Sequence, residues 1–509
     1  MSTSTKPILL SKTDYILYRE CAKNTWLKLH RHDVYYKSEL SAFEQSIIQT
    51  GNEVEEVARG LFPTGVLIEG RDEASQKKTL DYIKNRPAGE GQVLFQPVFC
   101  AQGFMAAVDI LKYDKESDSY FIYEIKASND IKESLHLYDL AFQVNLLTYA
   151  GVKVGKMHII HLNSDYVRKG PLDIVKLFTI ADVSEQIHEI LDPVGQEMQV
   201  ALEYVSQENE PTGPCACIYK GRSKHCTTFS YSNPEVPEYS VHDIARIGVS
   251  KAKLTELIDG NIFYVNEVPE HIELSEIQKN QVDSAISGRT LIKKDKIMEE
   301  LSRLSFPLYF IDYETFPCAI PRFDGFTPYQ QVPFQYSLHI LETPDDLISN
   351  SLDKAHHKEF LHVGSDDPTG PFAEGLKRDL GPTGSIIVWN KKFECKINNE
   401  LANRVPSIRA FIDGVNSRVY DLMDVFTKQY YVHKDFQGST SIKMVLPVLA
   451  PELSYKTLGI QEGGTASQKW NEMTTGNISK AEKDLIANNL REYCALDTYA
   501  MYAIYTAIL

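Results

Sequence analysis

Leu308-Tyr309-Phe310-Ile311-Asp312-Tyr313-Glu314-Thr315-Phe316 opens as an apolar, strand-like run and ends with two carboxylates at alternate positions. A strand has a side-chain period of two, so Asp312 and Glu314 share one face. Side by side they repel, by about 1 kcal/mol at ~4 Å in water and about 4 kcal/mol near a protein surface. A divalent cation turns that repulsion into attraction, and hard Mg²⁺ or Mn²⁺ prefers oxygen ligands. An isolated Asp-x-Glu pair is more often solvated surface, so its weight depends on the acids found elsewhere in the chain.

Further on, Ile386-Ile387-Val388-Trp389-Asn390 reads as a second buried strand, followed by Lys391-Lys392-Phe393-Glu394 and a helical pattern. Near the C-terminus, Leu490 to Met501 reads as a helix on which Tyr493 and Asp497 are i, i+4 neighbours and share a face. The order acid-x-acid on a strand, Asn-x-x-x-acid, then Tyr-x-x-x-Asp on a late helix resembles the DnaQ-like 3′–5′ exonucleases of the DEDDy type. That resemblance implies an RNase-H-like fold. It also implies four carboxylates (Asp312, Glu314, Glu394 and Asp497) holding two metal ions ~3.5–4 Å apart against a phosphodiester. Tyr493 would orient or deprotonate the attacking water. The usual third acid is Asp; here the position holds Glu394. Asp421, in Val419-Tyr420-Asp421-Leu422, is expected to be structural.

The N-terminal half carries a second constellation. Phe104 to Leu111 reads as an apolar strand containing Asp109, and Tyr120-Phe121-Ile122-Tyr123-Glu124-Ile125-Lys126 as its hairpin partner. Glu124 and Lys126 alternate onto one face, so the hairpin brings Asp109, Glu124 and Lys126 together. Two acids suit a metal, and an ammonium suits developing phosphoryl charge. This Asp…Glu-x-Lys pattern resembles the PD-(D/E)xK nucleases of the RecB-like group. On that resemblance Gln143, in Ala141-Phe142-Gln143, lies beside the scissile phosphate. Glu55, in Gly51-Asn52-Glu53-Val54-Glu55, stands where related enzymes carry a metal-binding histidine. Without the resemblance, the same residues read as a hairpin with a solvated Glu/Lys pair.

Of eight cysteines, Cys215, Cys217 and Cys226 cluster in a loop rich in Pro, Gly and Lys, and Cys21 sits in a helical stretch from Tyr15 to Leu29. Residues 1–30 lack the apolar core of a secretory signal, which makes disulfides unexpected. One cysteine before the nuclease core and three after it resembles the iron–sulfur branch of the RecB-like nucleases. Cys21, Cys215, Cys217 and Cys226 would then hold a [4Fe–4S] cluster, with Zn²⁺ on the same thiolates as the alternative. The other four cysteines read as core fillers.

With 509 residues, 43% hydrophobic and 24% charged, the chain is ordinary globular material for about three domains. It has no apolar tract long enough for a bilayer. The net charge of −16 runs against the basic balance of most nucleic-acid binders. Lys391-Lys392 and the run Lys220 to Lys224 are local basic exceptions that also read as solvated surface. The expected architecture is α/β throughout: a RecB-like, restriction-endonuclease-type core over residues 8–230, a helical connector over 231–300, and an RNase-H-like domain over 301–509. In the last, Gly325 to Pro333 is expected to line a substrate groove, and Lys443, in a short helix stopped by Pro447, is a candidate phosphate contact. This order resembles an uncharacterised bacterial family that fuses the two nuclease modules. The resemblance implies a cytoplasmic nuclease for repair or defence, with DNA favoured over RNA as partner, no membrane partner and protein partners unspecified. The rival expectation is a nucleic-acid-binding or scaffold protein with one or both sites degenerate.

Overall fold

The computed structural model describes residues 8–36, 42–86, 91–348 and 356–509. They are mixed α/β and fall into two units, residues 1–234 with 319–329 and residues 235–318 with 330–509. Among the described residues no helix is long and apolar enough to cross a membrane.

In the first unit Ser11 caps the helix α1 (Lys12–Glu20) in a capping box with Asp14. The helical stretch expected from Tyr15 to Leu29 is broken at Cys21. That residue is extended (φ −160°, ψ 102°) and separates α1 from α2 (Ala22–His30). After a four-residue helix, His32–Tyr35, comes α3 (Ala42–Arg59). A six-stranded sheet then forms in chain order from β1 (Val66–Leu67), β2 (Val93–Phe95), β3 (Ile110–Asp114), β4 (Ser119–Lys126), β5 (Val154–Leu162) and β6 (Phe178–Asp182). The β3–β4 hairpin pairs Ile110 with Tyr123, and β4 runs parallel to β5. The strand expected from Phe104 to Leu111 is two strands in two sheets. Phe104–Ala107 pairs with Val98–Ala101 and with Leu10–Ser11, and Asp109 sits at the crossover before β3.

Two helices, α4 (Glu133–Tyr149) and α5 (Ser184–Val205), cover one face of the larger sheet. Leu140, Phe142, Ile187 and Met198 pack there with Ile122 and Ile159. On the opposite face Tyr123 and Ile125 pack with Val54 and Ala58 of α3, and with Ala319 and Ile320. Strand alternation therefore turns Glu124 and Lys126 toward α4.

The second unit begins with helices Lys251–Asp259, Glu276–Ser287 and Lys294–Leu301. Its sheet is built from β7 (Leu308–Pro317), β8 (Gln331–Leu341), β9 (His356–Leu361), β10 (Ser385–Val388) and β11 (Val419–Asp421), in spatial order β9-β8-β7-β10-β11. Strand β8 is antiparallel to both neighbours, whereas β7, β10 and β11 are parallel. Tyr309, Ile311 and Tyr313 pack with α6 (Thr369–Asp379) and α7 (Lys391–Arg404). The short helix α8 (Ile442–Leu449) runs past Pro447 instead of stopping there, with Val445 and Leu446 buried, and leads on to α9 (Gly463–Thr475). The 29-residue α10 (Lys480–Ile508) takes the other face of β7, where Phe310 meets Tyr502 and Tyr505 edge-on. Asp312 and Glu314 alternate with Phe310 onto this face. Of the Pro/Tyr-rich loop expected to line a groove, residues 325–329 belong to the first unit, where Tyr329 donates to the Ala127 carbonyl at 2.6 Å, and 331–333 open β8.

Candidate metal centres

In the second unit, ligand atoms of Asp312, Glu314 and Cys494 lie within 4.8 Å of one another. The β7–β8 register slips directly after Glu314, a bulge of the kind that re-aims a side chain. Burial pushes the proton affinity of Asp312 and Glu314 well above the usual carboxylate range, and the charges of Asp497 and Glu394 push it further. Burial also raises Asp497, to about 6, although the Tyr455 hydroxyl donates to it at 2.6 Å and Tyr493 also favours its ionised form.

Glu394 sits in the first turn of α7, behind the N-cap Asn390. It is 3% exposed and its Oε2 has no hydrogen-bond partner among the described residues. Burial raises it to about 8, with Asp421 adding to the effect. Asp421 itself accepts the backbone N–H groups of Lys391 (2.9 Å) and Met423 (3.2 Å), a structural role. Buried, mutually repelling oxygens with one orphaned acceptor fit a hard divalent cation.

Two neighbours, Cys494 and Tyr455, were not expected beside these acids, and a third, Lys443, was expected at a phosphate. Cys494, expected as a core filler, points its sulfur toward the Asp312 carbonyl at 3.9 Å. Its signal was its i, i+3 spacing to Asp497. Tyr455 had no local signal. Lys443, expected at a phosphate, places its ammonium 5.5 Å and 5.7 Å from the ring centres of Tyr455 and Tyr493, and donates to the Gln461 carbonyl at 2.7 Å. Burial, then the charges of Asp497, Glu314 and Asp312, push the Tyr493 phenol far up, so it remains a hydrogen-bond donor.

The first unit links its candidates through hydrogen bonds and ion pairs, and no three of its acids among the described residues reach the 4.8 Å mutual spacing found in the second. Glu124, 2% exposed, receives Lys126 Nζ at 2.8 Å and Gln143 Nε2 at 2.7 Å. Asp109 receives the Ile125 N–H at 2.8 Å, which explains why the chain leaves one sheet at that residue before entering β3. Glu55 is bridged to Asp109 by Gln96, whose Nε2 donates to both at 2.6 Å and 3.1 Å, and Glu55 also pairs with Arg59. Gln96 has φ +53°, a left-handed conformation that is uncommon for a side-chain-bearing residue and worth noting at a site.

Lys12, Gln96 and Asp139 were not anticipated either. Asp139 pairs with Lys126 and accepts from Gln143 at 3.1 Å; its i, i+4 spacing to Gln143 was the available clue. Burial and the neighbouring Glu124 charge raise Asp109 to about 7. In Glu124, burial is outweighed by Lys12 and Lys126, which hold the carboxylate below its usual range.

The sulfur atoms of Cys21, Cys215, Cys217 and Cys226 lie within 4.8 Å of one another, and all four cysteines are free. The Cys215 and Cys226 sulfurs are 3.8 Å apart. Hydrogen bonds from the other three thiols, and from Asn233 at 3.3 Å, favour Cys215 as the thiolate. Lys23 donates to the Gly213 carbonyl at 2.6 Å and Trp26 to Gln207 at 2.9 Å, so α2 is stitched to the loop that carries the other three cysteines. Four sulfurs so disposed are able to bind a metal such as zinc or an iron–sulfur cluster.

The family described as "Domain of unknown function (DUF2779)" matches residues 309–441, from β7 to the N-cap of α8. The chain is similar to "Uncharacterized protein MG366 homolog" of Mycoplasma pneumoniae, 25% identical over 38% of this chain and 31% of the relative. It is also similar to "Uncharacterized protein MG366" of Mycoplasma genitalium, 24% identical over 41% of this chain and 33% of the relative. It thus spans about a third of the length of each.

Proposed function

We propose that the chain is a metal-dependent nuclease with two acid-lined centres that hydrolyse phosphodiester bonds of DNA. In this reading the first unit is a RecB-like PD-(D/E)xK module and the second a DnaQ-like module of RNase-H type. The observation that carries it is the Asp312–Glu314 pair of β7, with ligand atoms within 4.8 Å, buried where it feels the charges of Glu394 from α7 and Asp497 from α10. Such a set has little structural purpose without a cation, because its members are buried and repel. The strand order β9-β8-β7-β10-β11, antiparallel then parallel, supports the same assignment.

Asp312, Glu314, Glu394 and Asp497 would hold Mg²⁺ or Mn²⁺ in the second unit, and Glu55, Asp109 and Glu124 in the first. Bound there, the ions would supply a lowered water pKa and neutralise developing phosphoryl charge. Tyr493 then orients a water through its phenolic hydrogen, and Lys126 and Gln143 face the phosphate from the other centre. For the thiolate group, resemblance favours a [4Fe–4S] cluster. The 3.8 Å Cys215–Cys226 spacing favours one tetrahedral ion, since zinc–sulfur bonds of about 2.3 Å put thiolates ~3.8 Å apart.

Labelled single- and double-stranded DNA, with RNA in parallel, incubated with Mn²⁺ or Mg²⁺, tests the reading. Asp312→Ala and Asp109→Ala should each remove a separate set of products. Products unchanged in both variants would sink it. Loss with Asp312→Ala alone would leave the first unit as a binding module, a second reading favoured by the pairing of Glu55 with Arg59 and of Glu124 with Lys12. Metal analysis of anaerobically purified protein separates about four irons with absorbance near ~400 nm from one zinc.

A further inference from the structure

One side chain in the first unit is not accounted for by the nuclease assignment. Lys12 Nζ lies 2.9 Å and 3.1 Å from the two Glu124 carboxylate oxygens, 3.9 Å from Asp109 and 4.0 Å from Asp139. It is the first residue of α1, where the helix dipole disfavours a cation. Local structure therefore does not explain the residue; the three carboxylates do. Burial works against its charge, but Asp139, Glu124 and Asp109 outweigh that and hold the ammonium firmly protonated.

Its backbone is fixed on both sides. Leu10–Ser11 pairs with Phe104–Met105, and the Ser11–Asp14 capping box closes the first turn. Its side chain is 22% exposed, which leaves a path outward. Beside it Gln143, fully buried, donates to Glu124 and Asp139 and leaves its Oε1 without a partner among the described residues.

We infer that Lys12 is a resident, displaceable counter-ion: its ammonium fills the cation position between Asp109, Glu124 and Asp139 and is withdrawn toward solvent when a divalent ion enters. The inference rests on the reading of this unit as a divalent-metal centre. With Lys12 in place, three carboxylates face the two ammonium groups of Lys12 and Lys126. Withdrawal, with Asp109 ionised as the metal enters, leaves an excess of two negative charges, the match for a divalent cation. A monovalent occupant that must leave weakens metal affinity, and it spares the empty site from the repulsion that the second unit's acids suffer.

Lysine acetylation of the full chain, read by mass spectrometry, tests this on the unaltered protein. Saturating Mn²⁺ should raise the Lys12 modification rate at least fivefold, and Asp109→Asn should abolish the rise. In parallel, Mn²⁺ titration followed by the electron paramagnetic resonance of the free ion measures the binding component that Asp109→Asn removes. Lys12→Gln should tighten that component at least tenfold, while Lys12→Arg keeps it weak. Lys12 remaining protected while Mn²⁺ binds, or equal affinity in Lys12→Gln, overturns the inference and leaves the metal centre standing. No Asp109-dependent Mn²⁺ binding in any variant overturns both.

Discussion

At the scale of single residues, the second unit's acids make a statement about stability without metal. Asp497 and Glu394 hold protons up to about pH 6 and about pH 8 in the fold, against ordinary values of 3.8 and 4.5. At these two groups the folded state binds more protons than the unfolded one between about pH 4 and 8, so their contribution to stability falls as pH rises, while the buried, neutral His339 works the other way below about pH 6.5. Every tenfold change in proton affinity corresponds to about 1.4 kcal/mol. In chelator, the melting temperature should drop from pH 7 to pH 8, above the range where the buried histidines contribute, and Mn²⁺ should restore it most at pH 8. Asp312→Asn should stabilise the chelated protein at pH 8 by roughly 1–4 kcal/mol while losing the response to Mn²⁺. A flat pH profile in chelator would show that these acids do not crowd one another. The carboxylates themselves were legible because alternation on a strand and i, i+4 spacing on a helix are local patterns. Tyr455, Gln96 and Lys12 were not, since each reaches its site from a distant segment, and no spacing rule links Lys12 to Glu124.

At the scale of elements, what the sequence displayed and what it hid divide in the same way. The strands β4 and β10 and the helix α10 could be read from apolar periodicity. The break at Cys21 could not, because Tyr15 to Leu29 is helical by pattern on both sides of it. The extended conformation at Cys21 serves a partner nearly two hundred positions away, which local propensity does not report. The division of Phe104 to Leu111 into two strands has the same origin: Asp109 receives a backbone N–H from β4, and the chain changes sheets there.

Strand β10 also depends on Gly384. That residue has φ +88°, and a Cβ there would come within 2.2 Å of the Pro307 carbonyl oxygen. Gly384→Ala should destabilise the second unit by about 2 kcal/mol or more, combining left-handed strain with a clash against backbone. A denaturation midpoint within error of the parent would contradict the close approach of these two segments.

At the scale of the whole molecule, a net charge of −16 sets how a polyanion is received. Counter-ion release from lysine and arginine drives most DNA binding. Here the proposed centres are themselves acidic, so bare protein and DNA repel at the sites where they are meant to meet. Divalent ions should therefore be needed for binding as well as cleavage. Fluorescence anisotropy with a labelled, nuclease-resistant oligonucleotide should show affinity for the unaltered protein falling at least tenfold on chelation. Equal affinity with and without chelator would place the contact surface away from both centres.

The course of the chain has its own consequence. Residues 319–329 leave the second unit between two of its paired strands and supply Ala319 and Ile320 to the interior of the first. The polypeptide therefore passes from one unit to the other three times, and no single cut yields two intact halves. A gene shortened after residue 234 would encode an N-terminal piece lacking part of its own interior. Expressing the halves separately is thus the wrong route to assigning activities, and point variants in the intact chain are the right one.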